Sequence, residues 1–222
     1  MTTRSRTALS CSLAALSVAL LAGLPACSAS ARKQAEQQVR DGIDREAIAA
    51  RLTEQGDRAR LRGDRDRAIE LYQEALDYSA RYHDTWNNLG LLYLERNQEG
   101  DLGRAINHFV QAGVLDPTDP RPPTNAGIAY LQGGYASEAM DLFHEALRIQ
   151  PSYLPALRGA IKSADLLATA QYEDLERVKR ALLAETDTQW REYFERQRFL
   201  IESRLRSLNE RTGSSTSSAG TP

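Results

Sequence analysis

The chain has 222 residues, with 28 basic and 30 acidic side chains, three histidines and a formal net charge of −2. So even a balance excludes the strongly basic surface by which proteins hold nucleic acid or an anionic bilayer. An arginine-rich look over residues 58–67 does not change this, because Asp57, Asp64 and Asp66 are interleaved and the stretch reads as a charge-compensated, solvated helix face.

Arg4 and Arg6 precede an apolar run over residues 13–24, interrupted only by Ser17 and Gly23. The run is too short, and too closely followed by polar sequence, for a transmembrane helix; residues 1–26 read as a secretory signal peptide. It closes on Leu24-Pro-Ala-Cys27, which resembles the bacterial lipobox. That resemblance implies cleavage before Cys27, a diacylglyceryl thioether on its sulfur and acylation, palmitate-like, of the new amino group. Ser28 in place of an aspartate then implies a lipoprotein of the outer membrane, facing the periplasm. The alternative is a cut after Ala31 in the small-x-small triplet Ala29-Ser-Ala31, which leaves a soluble periplasmic protein. Two acyl chains anchor stably where one is marginal. Cys11 leaves with the signal, so no disulfide, metal cluster or thiol nucleophile remains in the folded part. The mature chain keeps 26 basic against 30 acidic side chains, a net charge of −4.

Residues 27–42 are small or polar and are expected to form a tether, helical towards its end. Helical apolar spacing begins at Ile43 and runs through Ala47, Ala50 and Leu61. Further on, one pattern occurs twice. Trp86, Leu89, Gly90 and Tyr93 are followed by Ala105, Phe109, Ala112 and Pro117; then Ala126, Gly127 and Tyr130 are followed by Ala139, Phe143, Ala146 and Pro151. Ala105, Phe109, Ala112 and Pro117 each recur 34 positions later. A fainter copy has Gly56, Ala68, Tyr72 and Ala75, with Leu52, Gln55 and Ala59 at the Trp, Leu and Tyr places and Gly63-Asp64 as its turn.

The pattern resembles the tetratricopeptide repeat, a helix–turn–helix unit of this period and signature. The resemblance implies an all-α fold, a right-handed α-solenoid of such repeats with C-terminal capping helices. The repeats are expected over residues 49–82, 83–119 and 120–153, within a repeat region spanning 43–153. A mid-helix glycine costs about 1 kcal/mol relative to alanine, so Gly90 and Gly127 mark places where a neighbouring helix comes close. Each unit leaves an apolar face that only another unit can cover. Pro117 and Pro151 end the second helices. Pro123 holds the Trp place of the last clear copy and suits only a first turn, so that helix starts near Pro122 or Pro123. Gly90 and Gly127 stand 37 apart; the three extra residues fit in the turn over residues 97–103, read as a tolerated loop insertion.

After Pro151 the signature fades. Residues 154–210 are expected to hold a degenerate fourth repeat and the capping helices. A first helix carries Leu157, Ile161, Leu166 and Leu167, with Ile161 at the glycine place. A second carries Leu175, Val178, Leu182 and Leu183. Asp187 or Thr188 can cap a last helix whose stripe holds Trp190, Phe194, Gln197, Ile201, Leu205 and Leu208. That stripe serves either as a cap on the last repeat or as a dimer seam. Residues 211–222 are Ser, Thr and Gly-rich and are expected to be disordered.

No catalytic, cofactor or metal constellation is visible, and the chain does not read as an enzyme. His83, His108 and His144 stand in no metal-ligand spacing and are expected at exposed polar positions. Glycines mark turns and close contacts rather than a nucleotide loop. Acidic pairs such as Glu173 and Asp174 sit among basic residues as ordinary helix surface.

In the family, the first helix of each repeat lines a concave groove. The resemblance therefore implies groove positions at Asp84, Asn87, Asn88, Leu91, Leu94 and Glu95, and at Arg121, Thr124, Asn125, Ile128, Leu131 and Gln132. Leu91, Leu94, Ile128 and Leu131 are apolar places beyond those the repeat core needs. They suit an amphipathic helix or apolar segment of a protein partner, unless the chain's own C-terminal helices cover them. The clamp by which one subfamily holds chaperone tails is not matched, because Thr53 and Asp57 stand where it has Lys and Asn. The expected function is a lipid-anchored adaptor for envelope, secretion or pilus-type assembly. Alternatives are a homodimer through the last helix, or a regulatory subunit of a cell-wall enzyme.

Overall fold

The computed structural model describes residues 29–168 and 172–216. The signal peptide, Cys27 and the last six residues of the tail lie outside the described residues. The described residues form nine helices and no strand, in two compact units divided after Ala80.

The first unit holds α1 (Ala29–Leu61) and α2 (Arg65–Tyr78). The turn between them uses Gly63 at φ +80°, a conformation that disfavours residues with a Cβ. Asp64 then caps α2, accepting from the Arg67 backbone N–H at 3.3 Å. Gly56 lies against the Tyr72 ring, where a Cβ would come within 2.5 Å of Cε1. The Tyr72 hydroxyl donates to Asp57 Oδ1 at 2.6 Å. Helix α1 starts at Ala29, so residues 29–42 continue the first repeat helix rather than standing before it. Alanine, glutamine, glutamate, arginine and lysine, which dominate there, are all good helix formers.

The second unit runs α3 (His83–Arg96), α4 (Asp101–Leu115), α5 (Arg121–Gln132), α6 (Ala136–Ile149), α7 (Leu154–Leu167), α8 (Tyr172–Ala184) and α9 (Thr188–Thr216). Helices α3 and α4 pair, as do α5 and α6, and α7 and α8; each pair then packs on the next. Each repeat glycine meets an aromatic ring of the second helix rather than the small alanine of that helix. A Cβ on Gly90 would stand 2.6 Å from Phe109 Cε1, and one on Gly127 would stand 2.8 Å from Phe143 Cε1. Gly159, which the repeat pattern does not mark, abuts the same Phe143 ring from α7, so that ring is held between two glycines. The C-terminal core gathers Phe143, Leu157, Ile161, Val178, Phe194 and Ile201.

Helix α5 begins at Arg121 with both prolines in its first turn. The longer turn before α4 is no passive insertion. Asp101 is wholly buried at its end and receives Arg96 at 2.8 and 2.7 Å, the Gln98 N–H at 3.1 Å and Arg104 at 3.1 Å. The Arg96 guanidinium beside it is the main reason its carboxyl titrates far below the usual range. Helix α9 continues through Thr216, past residue 211 at which the disordered tail was expected to begin. On α8, Leu183 faces solvent at 90% exposure while Leu175 and Val178 are buried.

Candidate partner-binding groove

The first helices α3, α5 and α7 pack side by side in the second unit. Of the twelve groove positions implied by the sequence, the polar ones on neighbouring helices largely engage each other. Arg121 Nη2 donates to Asp84 Oδ1 at 2.7 Å, and Arg121 Nε donates to Asp119 Oδ2 at 2.8 Å. Hydrogen bonding to Asp119, then to Asp84, makes the guanidinium still harder to deprotonate. Asn125 Nδ2 donates to Oδ1 of Asn87 at 2.9 Å, and Asn87 is buried. Thr124 does not face a groove at all. It is buried, and its hydroxyl donates to the Pro120 carbonyl at 2.7 Å, as befits a residue on the crowded side of the first turn.

Leu91, Leu94, Ile128 and Leu131 are each half-buried, bordered by Asn88, Glu95 and Gln132. Ile128 and Leu131 pack against the C-terminal core, whereas Leu91 and Leu94 lie outside it. A hollow of about 380 Å³ opens over Ile128 and Leu131, and Pro155, Arg158, Lys162 and Trp190 complete its wall. The last helix therefore contributes Trp190 as a wall of the groove and leaves the hollow open.

Trp190 is held there by residues that the repeat pattern does not mark. The Arg158 guanidinium lies 5.0 Å from the centre of its ring. Arg158 also donates to buried Glu185 at 2.7 and 2.6 Å. Glu185 accepts from the Thr186 and Asp187 N–H groups at 3.1 and 3.0 Å. The Arg158 hydrogen bonds are the chief reason the Glu185 carboxyl is held below its ordinary value. Asp187 caps α9 through the Trp190 N–H at 3.0 Å. Arg158 and Glu185 are 27 positions apart, with no motif that announces the pair.

The histidines are not the exposed residues the sequence suggests. His108 stacks on Tyr93 at 5.3 Å and tilts against Trp86 at 5.2 Å, with Nδ1 buried and unpartnered. His144 likewise buries an unpartnered Nε2. Burial disfavours the imidazolium at both. His83 Nε2 lies 3.6 Å from Asp84 Oδ1 and 3.7 Å from Asp116 Oδ2. His83, Asp84 and Asp119 offer ligand atoms within 4.8 Å of one another. Arg121 already bonds both carboxylates of that trio, so the cluster is compensated by a cation of the chain itself. Asp174, expected as ordinary helix surface, is instead buried and paired with Arg177.

No protein-family model matches the chain. It is 35% identical over 88 residues to the general transcriptional corepressor ssn6 of Schizosaccharomyces pombe, covering 39% of this chain and 8% of that protein. It is 37% identical over 67 residues to the BBSome complex member BBS4 of Bos taurus, covering 30% of this chain and 12% of that protein. The matches thus span only a small part of both relatives. Among solved structures, the MamA protein superposes with a TM-score of 0.55 at 18% identity, covering 79% of this chain and 97% of that one. The first TPR of Spaghetti (RPAP3), bound to the HSP90 peptide SRMEEVD, superposes with a TM-score of 0.53 at 20% identity, covering 56% and 96%. The O-GlcNAc transferase of Thermobaculum terrenum superposes at 0.54 with 23% identity, covering 62% of this chain and 26% of that one. Helix pairs locked by glycine against aromatic, with solved structures of the same build, identify the fold of this chain as the α-solenoid of tetratricopeptide-repeat proteins.

Proposed function

We propose that this protein is a membrane-anchored periplasmic adaptor that captures a segment of a partner protein along α3, α5 and α7. The observation that carries this reading is the half-buried strip of Leu91, Leu94, Ile128 and Leu131 with polar borders. Apolar side chains at such places go beyond what the repeat core uses, and burying them further against a partner is favourable at about 25 cal/mol per Å². The RPAP3 domain of the same fold is bound to a peptide, which supports peptide capture here. Export and anchoring rest on the apolar run ending in Leu24-Pro-Ala-Cys27, with lipid on Cys27 and the outer membrane as the surface. Its role is that of an assembly factor for envelope or secretion machinery.

The test is pull-down of the full chain from detergent-solubilised membranes, beside a Leu91→Asp/Leu131→Asp variant. A stable partner recovered by the wild type and lost from the variant is expected. Recovery unchanged by the variant removes the groove from the account. Mass spectrometry of the mature N-terminus checks the anchor: a diacylated or triacylated Cys27 supports it, and an unmodified terminus after Ala31 rejects it.

A second reading, self-association through α9, is favoured by Phe199 at 70%, Leu200 at 50% and Leu208 at 46% exposure on that helix. Mass in solution with and without residues 188–210 decides it.

A further inference from the structure

We infer that the α5–α7 end of the groove recognises a partner segment carrying a bulky apolar side chain beside an acidic one. The apolar side chain fills the hollow walled by Trp190, and the carboxylate meets Lys162. This rests on the groove reading and specifies its partner.

The argument is one of charge left uncompensated. Arg121 on α5, and Arg158 and Lys162 on α7, are cations carried by the helices of this groove. Arg121 is bonded to Asp84 and Asp119, and Arg158 makes two bonds to Glu185. Lys162, one helical turn beyond Arg158 on α7, is exposed and makes no hydrogen bond or ion pair among the described residues. It rims two hollows at once: the 380 Å³ hollow floored by Ile128 and Leu131, and a second of about 420 Å³ on α7 and α9. Trp190 stands in the wall of both. The acid nearest in sequence, Asp165, lines the second hollow and accepts the Tyr193 hydroxyl at 3.1 Å.

A carboxylate arriving at Arg121 or Arg158 would have to displace one that is already bonded. At Lys162 it displaces only water. An ion pair at an exposed site is weak alone, but the apolar hollow beside it lowers the local dielectric and supplies the larger part of the affinity. The lysine thereby selects among partners that the hollow would otherwise accept alike.

The experiment titrates the purified full chain, in detergent, against fluorescein-labelled peptides read by fluorescence anisotropy. Each peptide has one Leu, Phe or Trp at its centre and a Glu, Gln or Lys within four residues of it. At low ionic strength the Glu peptides should bind about fivefold more tightly than their Lys counterparts, a preference that fades in half-molar salt. Lys162→Gln should level the preference and Lys162→Glu should reverse it. Both substitutions are at an exposed position and should leave thermal unfolding unchanged. Binding indifferent to the acidic residue, a preference that survives Lys162→Glu, or no binding by any peptide overturns the inference. If Leu91→Asp/Leu131→Asp still abolishes capture of the membrane partner, the groove stands and only its acidic preference falls; if neither change matters, both readings fall.

Discussion

Asn125 on α5 donates its side-chain amide to Oδ1 of Asn87 on α3 at 2.9 Å, across 38 positions of sequence, with Asn87 only 2% exposed. The pair joins the first helices of adjacent repeats from inside the proposed groove. Replacing Asn125 by Ala leaves a buried amide oxygen without its donor, which costs about 1–3 kcal/mol. Chemical denaturation should show that loss, with the slope against denaturant unchanged.

The glycines give a test of sign. In an open helix, Gly→Ala stabilises by roughly 1 kcal/mol. Gly90→Ala should instead destabilise, because its Cβ would lie 2.6 Å from Phe109 Cε1 and overpacking costs about 1–3 kcal/mol. Phe109→Leu in the same chain should restore part of the loss. Gly103→Ala is the control: on α4 its Cβ meets nothing within 4 Å, so it should raise the melting temperature.

Arg158→Ala strands Glu185, whose residue is 3% exposed, as a buried carboxylate. Removing one partner of a buried pair costs about 3 kcal/mol or more. The same change removes the cation from the Trp190 ring. Thermal unfolding should fall, and tryptophan fluorescence should shift before global melting. Glu185→Gln should be milder, since the amide can still accept one of the Arg158 bonds.

Stability should fall as the solution becomes acidic, in two stages. Burial lowers the affinity of His108 and His144 for a proton below that of an ordinary imidazole at 6.5. Below pH 6.5 the unfolded chain therefore binds more protons than the folded one, and folding is penalised. For His144 the nearby Arg177 pushes the same way, while Asp141, Glu173 and Asp174 oppose it. His108→Gln with His144→Gln should flatten the slope of melting temperature between pH 7.5 and 5.5. Asp101 acts lower. Its depressed carboxyl stabilises the fold at all pH above 3.8 and loses that contribution below it. Asp101→Asn should be less stable than the wild type at neutral pH, with the gap closing in acid.

The repeat hairpins of the second unit were legible because their determinants recur. Gly90 and Gly127 announce a close helix contact by standing mid-helix, where a missing side chain is otherwise a cost; that Phe109 and Phe143 are what they meet is visible only in the fold. The start of α1 at Ala29 was not, because a polar stretch rich in helix formers looks the same as a flexible spacer until it is seen to join a packed helix. Asp101 was hidden for a different reason: its three neighbours Arg96, Gln98 and Arg104 are ordinary loop and surface types whose convergence no spacing rule announces. His108 looked like surface because its aromatic partners lie on another helix.

Sequence by itself determined that helices would pair and at which glycines a neighbour would come close, since both follow from local propensity and a repeated interval; which side chains face a hollow was implied by the family resemblance alone. Tertiary structure alone decided which of those facing residues are spent on the protein itself. Asp84, Arg121, Asn87 and Asn125 bind one another and Thr124 turns inward, while Trp190 walls the end of the strip and Lys162 stays unpaired beside it. The physical reason is that a carboxylate, amide or ammonium carries the same chemistry whether it meets a ligand or a neighbour. Only the distances between residues tens of positions apart tell the two cases apart.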